Sequence, residues 1–271
     1  LKTTHFFSLL GVFMLVEQQR FIRRYLLLMV LMVLGAAWMP SSVLAQIPID
    51  PVFQTNFPGV GGIVYNNGII ILPNGKILTS GLGGANRLNS DGSLDATFTP
   101  YVAPGWVSSV APLPNGSILA GTAGGTLVRL DVNGDIDSSF QTNAIMNNQI
   151  TAIVPLANGK ILVSAEAGII VNGVGIGCLA RLQSNGEVDM TFNTGGGGLN
   201  NRAFAIIPRQ DGKIWIGGSF TSYNGVSRNG VALLNADGSL DESFTLSINP
   251  GQVNDMKMQV DGKIVTGSHN R

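Results

Sequence analysis

LNSDGSLDATF, Leu88 to Phe98, returns nearly unchanged as LNADGSLDESF, Leu234 to Phe244. Two looser copies lie between them, LDVNGDIDSSF (Leu130 to Phe140) and LQSNGEVDMTF (Leu182 to Phe192), so the shared glycine recurs at intervals of 42, 52 and 52 residues. A second motif keeps step: LPNGKIL from Leu72, LPNGSIL from Leu113, LANGKIL from Leu156, RQDGKIW from Arg209 and QVDGKIV from Gln259. Five starts at this period mark an array of small supersecondary units, each needing its neighbours to cover its apolar faces.

Every unit reads as four strands. In the first, a strand ends near Leu72, Pro73-Asn74-Gly75 turns it, and Lys76 to Ser80 runs back; Ala85 to Asn89 and Ser93 to Phe98 form a second hairpin. Asn-Gly and Asp-Gly between apolar runs are strong hairpin signals, because both residues tolerate positive φ. Four-stranded antiparallel sheets at this spacing predict an all-β, β-propeller-type array of blades. Residues 46–271 hold four full units and a partial fifth, which is the expectation for an incomplete ring with an exposed edge strand at each end. Ile49-Asp50-Pro51-Val52-Phe53 matches LDATF and reads as a fourth strand without a blade of its own, suited to completing a final blade.

Packing fixes the register of the second hairpin. A three-residue loop, Ser90-Asp91-Gly92, sets Leu88 against Leu94 and Arg87 against Asp95. The same register pairs Arg129 with Asp137 and Arg181 with Asp189, whereas Leu233 leaves Asp241 without an arginine. Exposed pairs of this kind are worth under about 1 kcal/mol each. The units differ most between their second and third strands, where the third inserts AEAGIIVNGVGIG (Ala165 to Gly177) and the fourth SFTSYNGVSRNG (Ser219 to Gly230). Loops that vary on a fixed scaffold are where a binding face is built. Tyr223 and Asn224, in the second insertion, are the residues expected to contact a ligand, while Trp215 belongs to a strand and reads as core.

Thirty-six glycines and 12% charged residues agree with a turn-rich globular chain. Ahead of the repeats, Arg20, Arg23 and Arg24 precede the apolar run Tyr25 to Trp38, then MPSSVLAQ places Val43 and Ala45 at the −3 and −1 positions of a cleavage site. Residues 1–45 therefore read as a leader with a signal peptide over 20–45, cut after Ala45, with Met14 a better start than Leu1. This predicts a secreted or cell-surface protein that keeps no membrane insertion after cleavage. The leader takes Lys2 and the three arginines against Glu17, leaving the remainder with three more acidic than basic groups, which gives no reason to expect nucleic acid.

Candidate chemistry is sparse. The two histidines are His5 and His269, so a histidine metal site or a Ser-His-Asp set has little material, and no catalytic, cofactor or metal residues are assigned. DVNGDID, Asp131 to Asp137, sets oxygens at alternate positions as calcium loops do. It places Ile136 where an EF-hand needs glycine, however, so the hairpin reading is preferred. TGGGGLNN, Thr194 to Asn201, lacks the Lys-Ser/Thr and helix of a phosphate loop and reads as a connector between units. Cys178, the single cysteine, reads as a small buried residue.

DGKIWIGGSFTSYNGVSRNGVALLNADGSLDESF, Asp211 to Phe244, resembles the delta-60 repeat of secreted and cell-surface bacterial proteins. The likeness extends over about residues 47–271, although the first two units lack the GGSF and NGV segments. It implies a β-propeller fold and an extracellular setting, and carries over no catalytic residue. Two functions follow as expectations: a non-catalytic module binding a protein or polysaccharide, or an accessory part of a secreted glycan lyase or hydrolase.

Overall fold

The computed structural model describes residues 68–245 and 251–269. The leader, the expected cleavage site and the lone strand at Ile49 to Phe53 lie outside these. Among the described residues every regular element is a β-strand, and no helix is long and apolar enough to cross a membrane.

The described residues form seven sheets, five blades that follow one another along the chain and two small sheets built by the insertions. Blade 1 is β1 (Ile69–Ile71), β2 (Ile77–Gly81) and β3 (Gly84–Leu88); blade 2 is β4 (Val107–Pro112), β5 (Ile118–Thr122) and β6 (Leu127–Leu130). In the third unit a short strand, β7 (Ala144–Met146), precedes the blade. Blade 3 is β8 (Ile150–Pro155), β9 (Ile161–Ala165) and β12 (Leu179–Leu182), and its insertion forms the hairpin β10 (Ile169–Val171) and β11 (Val174–Gly175), with β10 also paired to β7. Blade 4 is β13 (Ala203–Pro208), β14 (Ile214–Gly218) and β17 (Val231–Leu234), its insertion the hairpin β15 (Ser222–Tyr223) and β16 (Val226–Ser227). Blade 5 is β18 (Gln252–Met258) and β19 (Ile264–His269). The described sheets do not close a ring.

The middle strand of blades 2 to 4 is apolar on both sides because a neighbour covers each side. In β9, Ile161, Val163 and Ala165 join the cluster shared with blade 2, whereas Leu162 joins the one shared with blade 4. In β14, Ile214 and Ile216 face blade 3 and Trp215 faces blade 5. The hydrophobic core is thus a series of layers between blades, as the alternation of side chains along a strand requires. Each first strand from blade 2 onward carries a bulge, at Val107/Ser109, Ile150/Ala152, Ala203/Ala205 and Val253/Asp255. At two of them the extra residue ties blades together: Ser108 Oγ donates to the Ile150 carbonyl (2.8 Å) and Thr151 Oγ1 to that of Ala203 (2.6 Å).

The expected register of the second hairpin is present in all four copies: Leu88 pairs with Leu94, Leu130 with Ile136, Leu182 with Val188 and Leu234 with Leu240. The expected fourth strand, however, is reduced to that single bridge. Beyond it the aspartate halts the ladder. Asp95 Oδ1 accepts the Thr97 N–H (3.1 Å) and hydroxyl (2.7 Å), pulling the chain into a turn that ends with the Phe98 N–H on the Asp95 carbonyl. Asp137, Asp189 and Asp241 do the same with Ser139, Thr191 and Ser243.

The ion pairs differ from the expected surface pairs. Asp95 Oδ2 accepts from both Arg87 Nε (2.5 Å) and Lys76 Nζ (2.6 Å), and Asp189 Oδ2 from Arg181 Nε and Lys160 Nζ (both 2.7 Å). Both carboxylates are buried. Asp241, left without an arginine, is held by Lys213 Nζ at 2.6 Å, a partner supplied by the DGKIW motif of the same blade. Phe244 meanwhile packs edge-on against Trp215, ring centroids 4.5 Å apart, where Phe98, Phe140 and Phe192 each lie beneath an arginine.

What makes the eleven residues repeat is docking between blades. Arg87 Nη1 donates to the Val132 carbonyl in the next hairpin turn, Arg129 Nη1 to Ser184 and Arg181 Nη1 to Ala236. Beside these, the Thr99 N–H meets the Asn133 carbonyl at 2.6 Å, Gln141 that of Asn185 at 2.9 Å and Asn193 that of Asp237 at 2.7 Å. The turn glycine sits against the preceding blade: a Cβ on Gly134 (φ +89°) would stand 2.1 Å from the Thr99 carbonyl oxygen.

Candidate functional site

Alternating strand direction puts the Asn-Gly turns at one end of the blades and the insertions, with the connectors between blades, at the other. Each end offers a concavity. A volume of about 560 Å³ lies among the first-hairpin turns of blades 1 to 3, walled by Leu72, Pro73, Leu113, Pro114 and Leu156. Its walls come from the turn motif every unit shares, so it is a product of the scaffold.

The second concavity, about 430 Å³, belongs to blade 3 alone. One wall is the inserted hairpin, at Val174 and Ile176; another is the glycine connector from Asn193 to Gly197; the floor includes Leu179, Arg181 and Phe192. Val174 and Met190 stand at its rim, 64% and 60% exposed. Met190 occupies a position filled by Ala96, Ser138 and Glu242 in the other copies, so this apolar rim is particular to one blade.

The floor is polar at one point. Arg181 is nine-tenths buried, its guanidinium 4.6 Å from the Phe192 ring centroid. Nε serves Asp189 and Nη1 the Ala236 carbonyl, which leaves Nη2 without a hydrogen-bond partner. In the sister blades this atom is engaged: Arg87 Nη2 donates to Thr97 Oγ1 (3.2 Å) and Arg129 Nη2 to Ser139 Oγ (3.0 Å). Burial raises the Asp189 carboxyl, but donors from Lys160, Thr191 and Arg181 outweigh it and hold the group well below the usual carboxylate range. Asp189 is therefore an ionised structural acceptor at neutral pH.

The two residues expected to touch a ligand are instead the frame of this pocket. Tyr223 is 1% exposed and packs in the layer between blades 3 and 4, its hydroxyl donating to the Gly238 carbonyl. No face of its ring is open for stacking, since the insertion folds inward and pairs Tyr223 with Leu199. Asn224, with φ +49°, forms a reciprocal amide pair with Asn193 (2.7 and 3.1 Å) and accepts the Gly198 N–H at 2.7 Å. It thereby pins the glycine connector. A Cβ on Gly196 would come within 2.4 Å of both asparagine Oδ1 atoms, so the connector between units is here also a fitted wall.

The remaining candidates are structural. Asp131 Oδ1 accepts the N–H groups of Asn133 and Asp135, and Asp137 pairs with Arg129 at 2.8 Å, so the calcium-like stretch spends these oxygens on its own hairpin. Among the described residues, no three His, Cys, Asp or Glu side chains gather as metal ligands would. Trp215 is core, as expected. Cys178 is buried, its thiol pushed up by burial and directed to the Glu166 carbonyl. Sequence reasoning passed over Arg181 as a site residue because its copies in blades 1 and 2 look identical; the signal that sets it apart is the neighbouring Met190.

Three stretches of the chain, residues 72–98, 156–192 and 209–244, match the domain of unknown function DUF5122, described as a β-propeller. No curated protein matches the sequence. Among solved structures, the chain is similar to the extracellular domain of a hybrid two-component system from B. thetaiotaomicron, with 15% identity, a TM-score of 0.49, and 76% of this chain and 26% of that one covered. It is also similar to the computationally designed Ika8 protein (12% identity, TM-score 0.45, 78% and 70% covered) and to a protein of unknown function from Bacteroides caccae (16%, 0.32, 64% and 79%). The chain spans about a quarter of the length of the first of these. The sheets, the layers between them and the threefold match to a β-propeller family model identify an all-β array of the β-propeller type.

Proposed function

We propose that this chain is an exported interaction module of the delta-60 type, non-catalytic, which binds a protein or polysaccharide through the insertion-bearing side of its blades. One observation carries the reading. The polar groups that every repeat shares are consumed in turns and contacts between blades, whereas the insertion of the third unit walls a concavity whose rim and open donor the sister blades lack. Export rests on the leader, with its basic cluster, apolar run and Val43/Ala45 cleavage pattern.

The test has two parts. Expression of the whole chain in a bacterium with a general secretion pathway should yield an exported product whose N-terminal sequence begins at Gln46. That product, labelled and applied to peptide and glycan arrays, should bind a restricted set of ligands. A product retained in the cytoplasm with residues 1–45 intact would remove the export claim, and arrays that stay silent would remove the binding claim.

A further inference from the structure

The pocket of blade 3 can be read further, on the footing of the binding-module reading above. We propose that it takes one branched apolar side chain of an extended peptide, with the adjacent main-chain carbonyl accepting a hydrogen bond from Arg181 Nη2. The lining decides the side chain. Val174, Ile176, Leu179, Met190 and Phe192 make a cleft whose rim residues are exposed apolar groups. Covering such a rim is favourable in proportion to the apolar area removed from water.

The donor decides the rest. Arg181 as a residue is nine-tenths buried, but Nη2, which makes none of the hydrogen bonds of the guanidinium to the protein, stays open to solvent and so is free to donate to an acceptor from outside. Its charge is already balanced: Arg181 and Lys160 share Asp189, and Asp237 lies close enough to Arg181 to feel its field. A neutral acceptor, the carbonyl of a peptide, fits that balance better than an anionic sugar, which would meet two carboxylates. The glycine wall supplies the means of laying a chain down, because Gly195 and Gly197 are exposed and have no side chain to hold a peptide away. A polysaccharide would look for an exposed aromatic platform, and the ring that lines this cleft, Phe192, is already covered by Arg181.

The experiment uses the exported chain carrying methionine labelled with carbon-13 at its methyl group, the Met190 signal being assigned by its loss in Met190→Leu. The probes are the neutral dipeptide mimic N-acetyl-leucine N-methylamide, its alanine counterpart, and galacturonic acid. The leucine probe should shift the Met190 signal with a dissociation constant on the order of 1 mM, as befits a fragment of its size, and the alanine probe should bind about tenfold more weakly. Met190→Glu and Val174→Asp change exposed side chains and leave the fold intact, as their thermal unfolding should confirm; each should weaken the leucine probe about tenfold. No shift up to the solubility limit, equal shifts from both mimics, or a Met190 response to galacturonic acid in place of the leucine probe would overturn the assignment. A ligand found on the arrays whose binding survives both substitutions would sink this site while sparing the module; silent arrays with a responding Met190 would do the reverse.

Discussion

Replacing Gly134 by alanine separates the cost of a strained turn from the cost of parting two blades. Gly134 and Gly75 both occupy second-quality backbone for an L-residue, at φ +89° and +80°. A Cβ on Gly75 would find nothing nearer than the Ser90 Cβ at 3.9 Å, so Gly75→Ala should cost only the left-handed strain, about 1–2 kcal/mol. On Gly134 the same atom would lie 2.1 Å from the Thr99 oxygen, 2.9 Å from its nitrogen and 3.0 Å from its carbonyl carbon. Relief requires the hairpin to retreat by about 1 Å, the gap between that 2.1 Å and an ordinary carbon–oxygen contact. The retreat would break the 2.6 Å bond from the Thr99 N–H to Asn133 and the 2.8 Å bond from Arg87 Nη1 to Val132. One neutral and one charge-assisted hydrogen bond together add about 2–4 kcal/mol. Urea unfolding of the two variants beside the parent chain, followed by circular dichroism and with m-values compared, measures the difference. Equal destabilisation of the two, within about 0.5 kcal/mol, would mean that the turn glycine does not dock blade 2 on blade 1 and that the repeat is conserved within the chain for another reason.

Acid should weaken the array in a defined window. Asp95, Asp189 and Asp241 have folded-state values depressed below that of an unfolded aspartate, Asp241 to about 2 by Lys213 and Ser243. Their stabilisation is thus complete above about pH 5 and is lost as pH falls from about 4 through the folded values; a melting temperature that stays flat to pH 2 would contradict this. Asp189→Asn leaves Arg181 and Lys160 without a counter-charge beside a buried site and should cost about 2–4 kcal/mol in chemical unfolding, more than Asp137→Asn, whose carboxylate is 29% exposed and holds a single cation. Tyr223→Phe removes the bond to Gly238 and should lower stability by about 1 kcal/mol without changing affinity for any array ligand, whereas loss of binding would return the ring to the site. The Cys178 thiol should resist a disulfide reagent until the chain unfolds, and rapid labelling of the native protein would refute its burial.

The repeats made the fold legible because each unit is local: a turn glycine, an apolar strand and a paired Arg and Asp lie within about a dozen residues, and hairpin chemistry acts at that range. The register of Leu88 with Leu94 and of Arg87 with Asp95 could be derived from that stretch, and the structure contains it. Tertiary structure decided what lies between units. That Lys213 replaces the missing arginine, that Tyr223 turns into the layer shared by blades 3 and 4, and that Asn193 and Asn224 clasp the glycine connector all depend on residues brought together from 28 to 31 positions apart, or from neighbouring blades. Periodicity reports which side of a strand is apolar, but both sides are apolar when a blade has two neighbours, so it cannot tell an inward insertion from an outward one. The pocket of blade 3 arises from that same source: its floor is common to the repeats, and one hairpin and one connector brought beside it in space supply the walls.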